Sequence, residues 1–128
     1  MYYKEIAGVK VSALGMGNMR LPTLDGKDDN INREKAQEII DYAMSHGINY
    51  YDTAYRYHGG ESERFLGEAL KKYPRDSYYL TDKMPVWFAK TPGDVEKIFA
   101  EQLKRCQTEY FDFYLLHSLD ENHWDAAQ

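Results

Sequence analysis

The feature that most constrains this chain is a change of period that repeats along it. Short aromatic or β-branched runs alternate with apolar stripes at helical spacing, and each run finishes on a polar group. The runs are Asn49-Tyr-Tyr-Asp-Thr-Ala54, Tyr78-Tyr-Leu-Thr-Asp-Lys83 and Phe111-Asp-Phe-Tyr-Leu-Leu-His117. They are apolar almost throughout, as strands of a parallel sheet covered on both faces must be. A first helix is predicted over about 33–46, with Ala36, Ile39, Ile40, Ala43 and Met44 on one face, Asn32 as cap and Gly47 closing it. A second, over about 62–72, repeats the spacing with Phe65, Leu66, Ala69 and Leu70. A third starts at Thr91-Pro92-Gly93-Asp94 and carries Val95, Ile98, Phe99, Leu103 and Cys106. A further helix is expected from near Asn122. At the other end, residues 2–11, with Gly8 near the middle, predict a hairpin whose second arm runs into a first strand over Val11–Gly17. Pro22–Asn30 reads as a loop.

Strand, helix, strand in one sheet implies right-handed crossovers. Each unit takes about 30 residues, four fit in the 128 of this chain, and a closed eight-unit barrel needs about 250. The expected fold is therefore α/β: the first four βα units of a (β/α)8 TIM barrel after a short amino-terminal β-hairpin, with residues 1–128 forming one half-barrel. In such a sheet the carboxyl ends of all strands share one rim. Asp52, Lys83 and His117 lie at the ends of successive runs and Tyr57 in the intervening loop, so the four are expected to converge. An acid, an ammonium, a phenol and an imidazole in one pocket are the parts needed to tune a proton donor.

Charge and cysteine usage narrow the partners. The 21 acids and 16 bases are scattered and sum to −5, which offers no face to nucleic acid. Lys71-Lys72 and Lys104-Arg105 are expected at helix carboxyl ends, where the dipole favours cations. The lone Cys106 excludes an internal disulfide, fits a reducing cytoplasm and is expected as buried filler. No apolar run approaches the roughly 20 residues that span a bilayer, and the start lacks a signal-peptide pattern. The expectation is a soluble, cytoplasmic protein without a membrane partner.

Several segments together carry a family resemblance. Val11-Ser-Ala-Leu-Gly-Met-Gly-Asn-Met-Arg-Leu-Pro22, Gly47-Ile-Asn-Tyr-Tyr-Asp-Thr-Ala-Tyr-Arg-Tyr57, Glu61-Ser-Glu-Arg-Phe-Leu-Gly-Glu-Ala-Leu70, Thr81-Asp-Lys83 and Tyr110-Phe-Asp-Phe-Tyr-Leu-Leu-His117 resemble the aldo-keto reductase family in order and spacing. Tyr55-Arg-Tyr-His-Gly-Gly-Glu-Ser62, Pro85-Val-Trp87 and Phe113-Tyr-Leu-Leu-His-Ser-Leu119 most resemble its branch with a carboxyl-terminal ferredoxin-like iron-sulfur domain. That cluster would lie beyond Gln128, since one cysteine cannot supply four thiolates.

The resemblance implies hydride transfer from a nicotinamide cofactor, NADPH or alternatively NADH, to a small aldehyde or ketone. By the same resemblance Tyr57 is the general acid, Lys83 favours release of its proton, Asp52 keeps Lys83 charged and in place, and His117 orients the carbonyl. It places Gly17, Asn18, Met19 and Asp52 beside the nicotinamide. Gly15-Met-Gly17 does not match the glycine fingerprint of an open Rossmann sheet. The family's main cofactor contacts come from strands five to eight, so this chain alone is expected to be an inactive fragment that self-associates or needs its missing half. The alternative is a half-barrel assembly or interaction protein without catalysis.

Other conspicuous residues have plainer readings. His58-Gly59-Gly60 is expected to be a turn into the second helix, and no metal site is expected from His58, Glu61, His117 and Asp52, which lack ligand spacing. Lys83 could serve as a Schiff-base lysine, but that chemistry does not require the tyrosine after Asp-Thr-Ala. Trp87, Phe88 and Trp124 are equally readable as substrate mouth or as packing. The inner face of the half-barrel is expected to be lined by Leu14, Tyr50, Leu80 and Tyr114 or their alternating neighbours.

Overall fold

A computed structural model describes residues 1–122 and Trp124. Strands β1 (Tyr3–Ile6) and β2 (Val9–Ser12) form an antiparallel hairpin closed by Ala7 and Gly8, both with positive φ. A separate, wholly parallel sheet has the order β3 (Met16–Gly17), β4 (Tyr50–Asp52), β5 (Tyr79–Pro85), β6 (Phe113–His117). Helices α1 (Arg33–Ser45), α2 (Glu61–Ala69) and α3 (Pro92–Arg105) follow β3, β4 and β5 in turn. The architecture is α/β, in the strand order of the first half of a (β/α)8 barrel. The helix expected from near Asn122 lies outside the described residues.

Local signals set the helix ends. Asn32 accepts from the Lys35 N–H at the start of α1, and Gly47, with φ +87°, takes the left-handed turn that ends it. Thr91 and Asp94 form a reciprocal capping box at α3, with Pro92 at its first position. α2 ends at Ala69, earlier than the expected 72. Lys71 and Lys72 therefore lie past its end and answer to tertiary partners, Gln107 and Asp41 respectively.

Register decides which face each strand residue presents. Tyr51 and Leu80 are partners across β4 and β5, and both enter the helix-side core with Ala36, Ile40, Ala43, Phe65, Leu66 and Ala69. Tyr50, Tyr79 and Phe113 occupy the opposite, inner face, where the Phe113 ring lies 5.7 Å from Tyr50 and 6.3 Å from Tyr79. Leu80 and Tyr114 therefore do not line the inner face as one form of the expectation had it; their neighbours do. Leu14 sits in the exposed bend before β3.

Two other expectations shift for physical reasons. The hairpin arm does not run on as a barrel strand from Val11 to Gly17: β2 stops at Ser12, still opposite Tyr3, where Asn49 Oδ1 accepts its N–H at 2.7 Å and the Leu14 carbonyl accepts its hydroxyl at 2.7 Å, and a bend follows before β3. Ile39 and Val95, assigned to apolar stripes, are exposed. Gln102 takes the buried position on α3 instead, satisfied by the Lys83 carbonyl and the Tyr114 hydroxyl. Gly67 permits a close approach of α2 to the end of α3, since a Cβ there would lie 2.6 Å from the Arg105 carbonyl oxygen.

Candidate active site

The rim is assembled by hydrogen bonds between strand ends. Asn18, fully buried just after β3, donates from Nδ2 to the Asp52 carbonyl at 2.9 Å and the Met16 carbonyl at 3.1 Å. Its own carbonyl accepts the Ser62 hydroxyl at 2.9 Å. The Ser62 proton is thereby committed, so the 2.8 Å contact between Thr53 and Ser62 hydroxyls has Thr53 as donor. These bonds fix Asp52-Thr53-Ala54 against β3 and the start of α2. The segment then turns, with the Tyr57 N–H donating to the Ala54 carbonyl at 3.3 Å, and presents Tyr57 toward β5.

Lys83 completes the group. Its ammonium donates to Asp52 Oδ2 at 2.8 Å, the Thr53 carbonyl at 2.9 Å and the Tyr57 hydroxyl oxygen at 3.2 Å. Three acceptors match its three N–H donors. An ammonium saturated in this way has no lone pair to offer a carbonyl carbon, which disfavours the Schiff-base reading. Lys83 is not at a strand end as expected: β5 runs on to Pro85 because Met84 and Pro85 still pair with Leu116 and His117.

His117 closes the far side. Its ring meets Tyr57 edge-on at 5.8 Å and Trp87 at 4.9 Å. Burial, and then the Lys83 charge, hold the imidazole below its ordinary titration range, opposed by Asp52. Its Nδ1 is buried without a partner among the described residues. A neutral imidazole next to a lysine-held phenol can donate to an oxygen that both groups face. Trp87 belongs to this wall. Phe88, packed on Tyr55 and under Arg56, is half-exposed beside it, and Trp124 is exposed.

The cofactor candidates fall into different environments. Gly17 pairs with Asp52 across the sheet, and a Cβ there would meet nothing within 4 Å, so a flat ring could approach its backbone. Asn18 Oδ1 is a buried acceptor without a donor, while Met19 is exposed. The open space over Gly17 fits a flat ring such as nicotinamide. A concavity of about 590 Å³ lies elsewhere, between Arg75, Tyr78 and Tyr110, but its guanidinium is already spent on Thr108, Tyr78, Tyr110 and Asp112.

His58 is a buried structural residue. Nε2 accepts the Leu21 N–H at 2.9 Å, and Nδ1 donates to the Asp28 carbonyl at 2.6 Å. His58, Gly59 and Gly60 all have positive φ and turn the chain into α2 as expected. The polar residues that sequence reasoning missed lie behind the sheet: Glu63, Asp82, Gln102 and Arg105. Arg105 is more than a dipole partner, for it bonds Glu63 at 2.9 Å, Glu101 at 2.6 Å and the Tyr55 carbonyl at 3.2 Å. Asp82 could have been noticed as an acid standing between Leu80 and Met84 on the apolar alternation of β5. Burial, and then the neighbouring Glu63, push its pKa well above the ordinary carboxylate range.

The profile described as the Aldo/keto reductase family matches residues 13–126. The chain belongs to the aldo/keto reductase family. It is 31% identical over 121 residues to "Probable aldo-keto reductase 1" of Glycine max, covering 88% of this chain and 34% of that protein. The thermostable aldo-keto reductase Tm1743, solved with the inhibitor epalrestat, superposes with a TM-score of 0.78 at 30% identity, over 95% of this chain and 44% of that one. An aldo-keto reductase from Klebsiella pneumoniae, solved in complex with NADPH, gives 0.76 at 26% identity, over 98% and 44%. The chain thus spans about a third of the length of curated aldo-keto reductases it matches. The motifs read from the sequence and the barrel topology agree with this membership.

Proposed function

We propose that this chain supplies the proton-donating half of an NAD(P)H-dependent aldo-keto reductase that reduces small aldehydes or ketones to alcohols. The observation that carries the reading is the ammonium of Lys83, which binds Asp52 and Tyr57 at once. Because Lys83 donates to the Tyr57 oxygen, the phenolic proton is free to point away from it. That proton goes to the carbonyl oxygen as it gains charge, and the adjacent ammonium stabilises the phenolate left behind. Asp52 balances the Lys83 charge and fixes its direction. His117 donates to the same carbonyl oxygen and sets its orientation. Gly17, Asn18, Met19 and Asp52 would hold the nicotinamide end of NADPH, or of NADH, which supplies the hydride. In alcohol oxidation Tyr57 acts as base. The NADPH bound by the Klebsiella relative supports the cofactor choice.

The same reading treats the 128-residue chain as one half of a barrel, inactive until its other half is present. It keeps the resemblance to the iron-sulfur branch, with any cluster held by residues beyond Gln128, and a reducing cytoplasm as the setting. The competing reading is a half-barrel assembly protein. What favours it is the edge strand β6, whose Leu115 and Leu116 are 46% and 45% exposed on opposite faces. The test is NADPH consumption with small aldehydes by the full-length protein that carries this chain. Turnover that Tyr57→Phe abolishes supports the reductase, and its absence in the unsubstituted protein leaves the assembly reading.

A further inference from the structure

Behind Lys83, on the face turned to the helices, lies a polar cluster that the proposed chemistry does not use. Asp82, Glu63 and Gln102 are fully buried and Cys106 nearly so. A carboxylate oxygen of Asp82, one of Glu63 and the Cys106 sulfur all lie within 4.8 Å of one another. Among the described residues one cation reaches them: Arg105, whose Nη1 donates to Glu63 Oε1 at 2.9 Å. That guanidinium is shared, because Nη2 donates to Glu101. Asp82 has no cation of its own on this side. Its Oδ1 accepts the Lys83 backbone N–H at 2.9 Å and its Oδ2 lies 3.9 Å from the Cys106 sulfur, while the Lys83 ammonium points to Asp52 on the opposite face.

Two ionised carboxylates here would be buried against one shared guanidinium, which desolvation opposes. Glu63 Oε2 would also be a buried acceptor without a donor. One proton removes both faults. We propose that Asp82 carries a proton at neutral pH and donates it in a hydrogen bond to Glu63 Oε2, and that this pair is the rear anchor that positions Lys83. The anchor grips the Lys83 peptide at both ends: its N–H by Asp82, and its carbonyl by the Gln102 amide at 2.8 Å. Around the proton stand Glu63 from α2, Arg105, Glu101 and Cys106 from the α3 side, and the Tyr114 hydroxyl from β6, itself held by Gln102. The positioning role rests on the reductase reading of Lys83, whereas the proton does not.

Carbon-13 spectroscopy of the full-length protein with labelled aspartate carboxyls tests the proton, with Asp82 assigned through Asp82→Asn. A protonated carboxyl signal at neutral pH, absent from the variant, is expected; an ionised Asp82 overturns the proposal, as does a stoichiometric divalent metal found on the Glu63, Asp82 and Cys106 trio. A carboxyl that binds its proton more tightly when folded makes the folding equilibrium fall by up to about tenfold per pH unit as pH rises from the ordinary carboxylate range toward the folded value. Asp82→Asn keeps both hydrogen bonds and should remove that slope, and an unchanged slope overturns the proposal. In the full-length protein Asp82→Ala should lower kcat by about 10- to 100-fold with less effect on KM, while Asp82→Asn restores it. Equal damage from both variants overturns the anchor. A full-length protein inactive before any substitution sinks the reductase reading but leaves the spectroscopic answer standing.

Discussion

The Lys83 ammonium nitrogen lies 3.2 Å from the Tyr57 hydroxyl oxygen, although one residue stands on β5 and the other in the turn after β4. That contact is held from two directions. Asp52 Oδ2 and the Thr53 carbonyl take the other two ammonium protons, so Lys83 cannot rotate away without losing three bonds. The Lys83 ammonium also lies 4.7 Å from the centre of the Tyr57 ring. The one ammonium thus sets a positive charge against both the hydroxyl and the ring face of Tyr57.

Replacing Tyr57 with Phe in the full-length protein should lower kcat by about 10²–10⁴-fold with cofactor binding nearly unchanged. The change deletes the donated proton but hardly alters shape. Steady-state kinetics and a separate NADPH titration check it. Wild-type turnover in a regime limited by chemistry would show that another acid serves.

Removing the Lys83 charge probes a different link. Lys83→Met keeps the length of the side chain but orphans Asp52 Oδ2 and the Thr53 carbonyl on a partly buried rim. Turnover should fall at least as far as in Tyr57→Phe, and thermal stability should fall by about 1–3 kcal/mol. Chemical denaturation of the variant beside Tyr57→Phe separates the two effects, for the phenylalanine variant should lose little stability.

Much of this was legible from side-chain period alone. Tyr51 and Leu80 announce buried strands, Asn32, Gly47 and Thr91 mark helix ends, and Asp52, Tyr57, Lys83 and His117 meet because parallel strands share a rim. What escaped was tertiary in origin. β2 stops at Ser12, where Asn49, 37 residues on, captures its N–H. Gln102 is buried on α3 while Val95 is exposed, because the Lys83 carbonyl and the Tyr114 hydroxyl await the amide. No local pattern encodes a partner that arrives from another element.

His117 should link pH to stability. Its folded pKa is lowered from the ordinary 6.5, first by burial and then by Lys83. Between the lowered value and about 6.5 the unfolded chain binds more protons, so stability is present above that window and is lost as pH falls through it. His117→Gln should flatten the slope in mildly acidic solution. Urea midpoints measured at successive pH values decide it, and an unchanged slope would assign the effect to other groups.

Gly67→Ala sets two effects of opposite sign against each other. Alanine gains about 1 kcal/mol of helix propensity over glycine. Its Cβ would stand 2.6 Å from the Arg105 carbonyl oxygen and 2.9 Å from the Cys106 carbonyl carbon, both backbone atoms that cannot swing aside. Overpacking of this kind costs about 1–3 kcal/mol and here forces α2 from the end of α3. The clash should win, with a lower melting temperature. A more stable variant would mean that the two helices separate at little cost.

The inner face carries the last expectation. Among the described residues Tyr50, Tyr79 and Phe113 line it with no second sheet across from them, and β3 and β6 are the two open edges of the sheet. Leu115 and Leu116 add exposed apolar surface to each side of β6. Soluble monomers seldom tolerate a contiguous apolar patch above a few hundred Å², about 300–600 at most, and open edges invite pairing with another chain. The isolated 128-residue chain should therefore self-associate, or be rescued by a separately supplied second half-barrel. Light scattering on the purified chain, alone and then mixed with that half, measures both outcomes. A stable 15.0 kDa monomer with cooperative unfolding would show that the inner face is closed in solution by a rearrangement of these same strands.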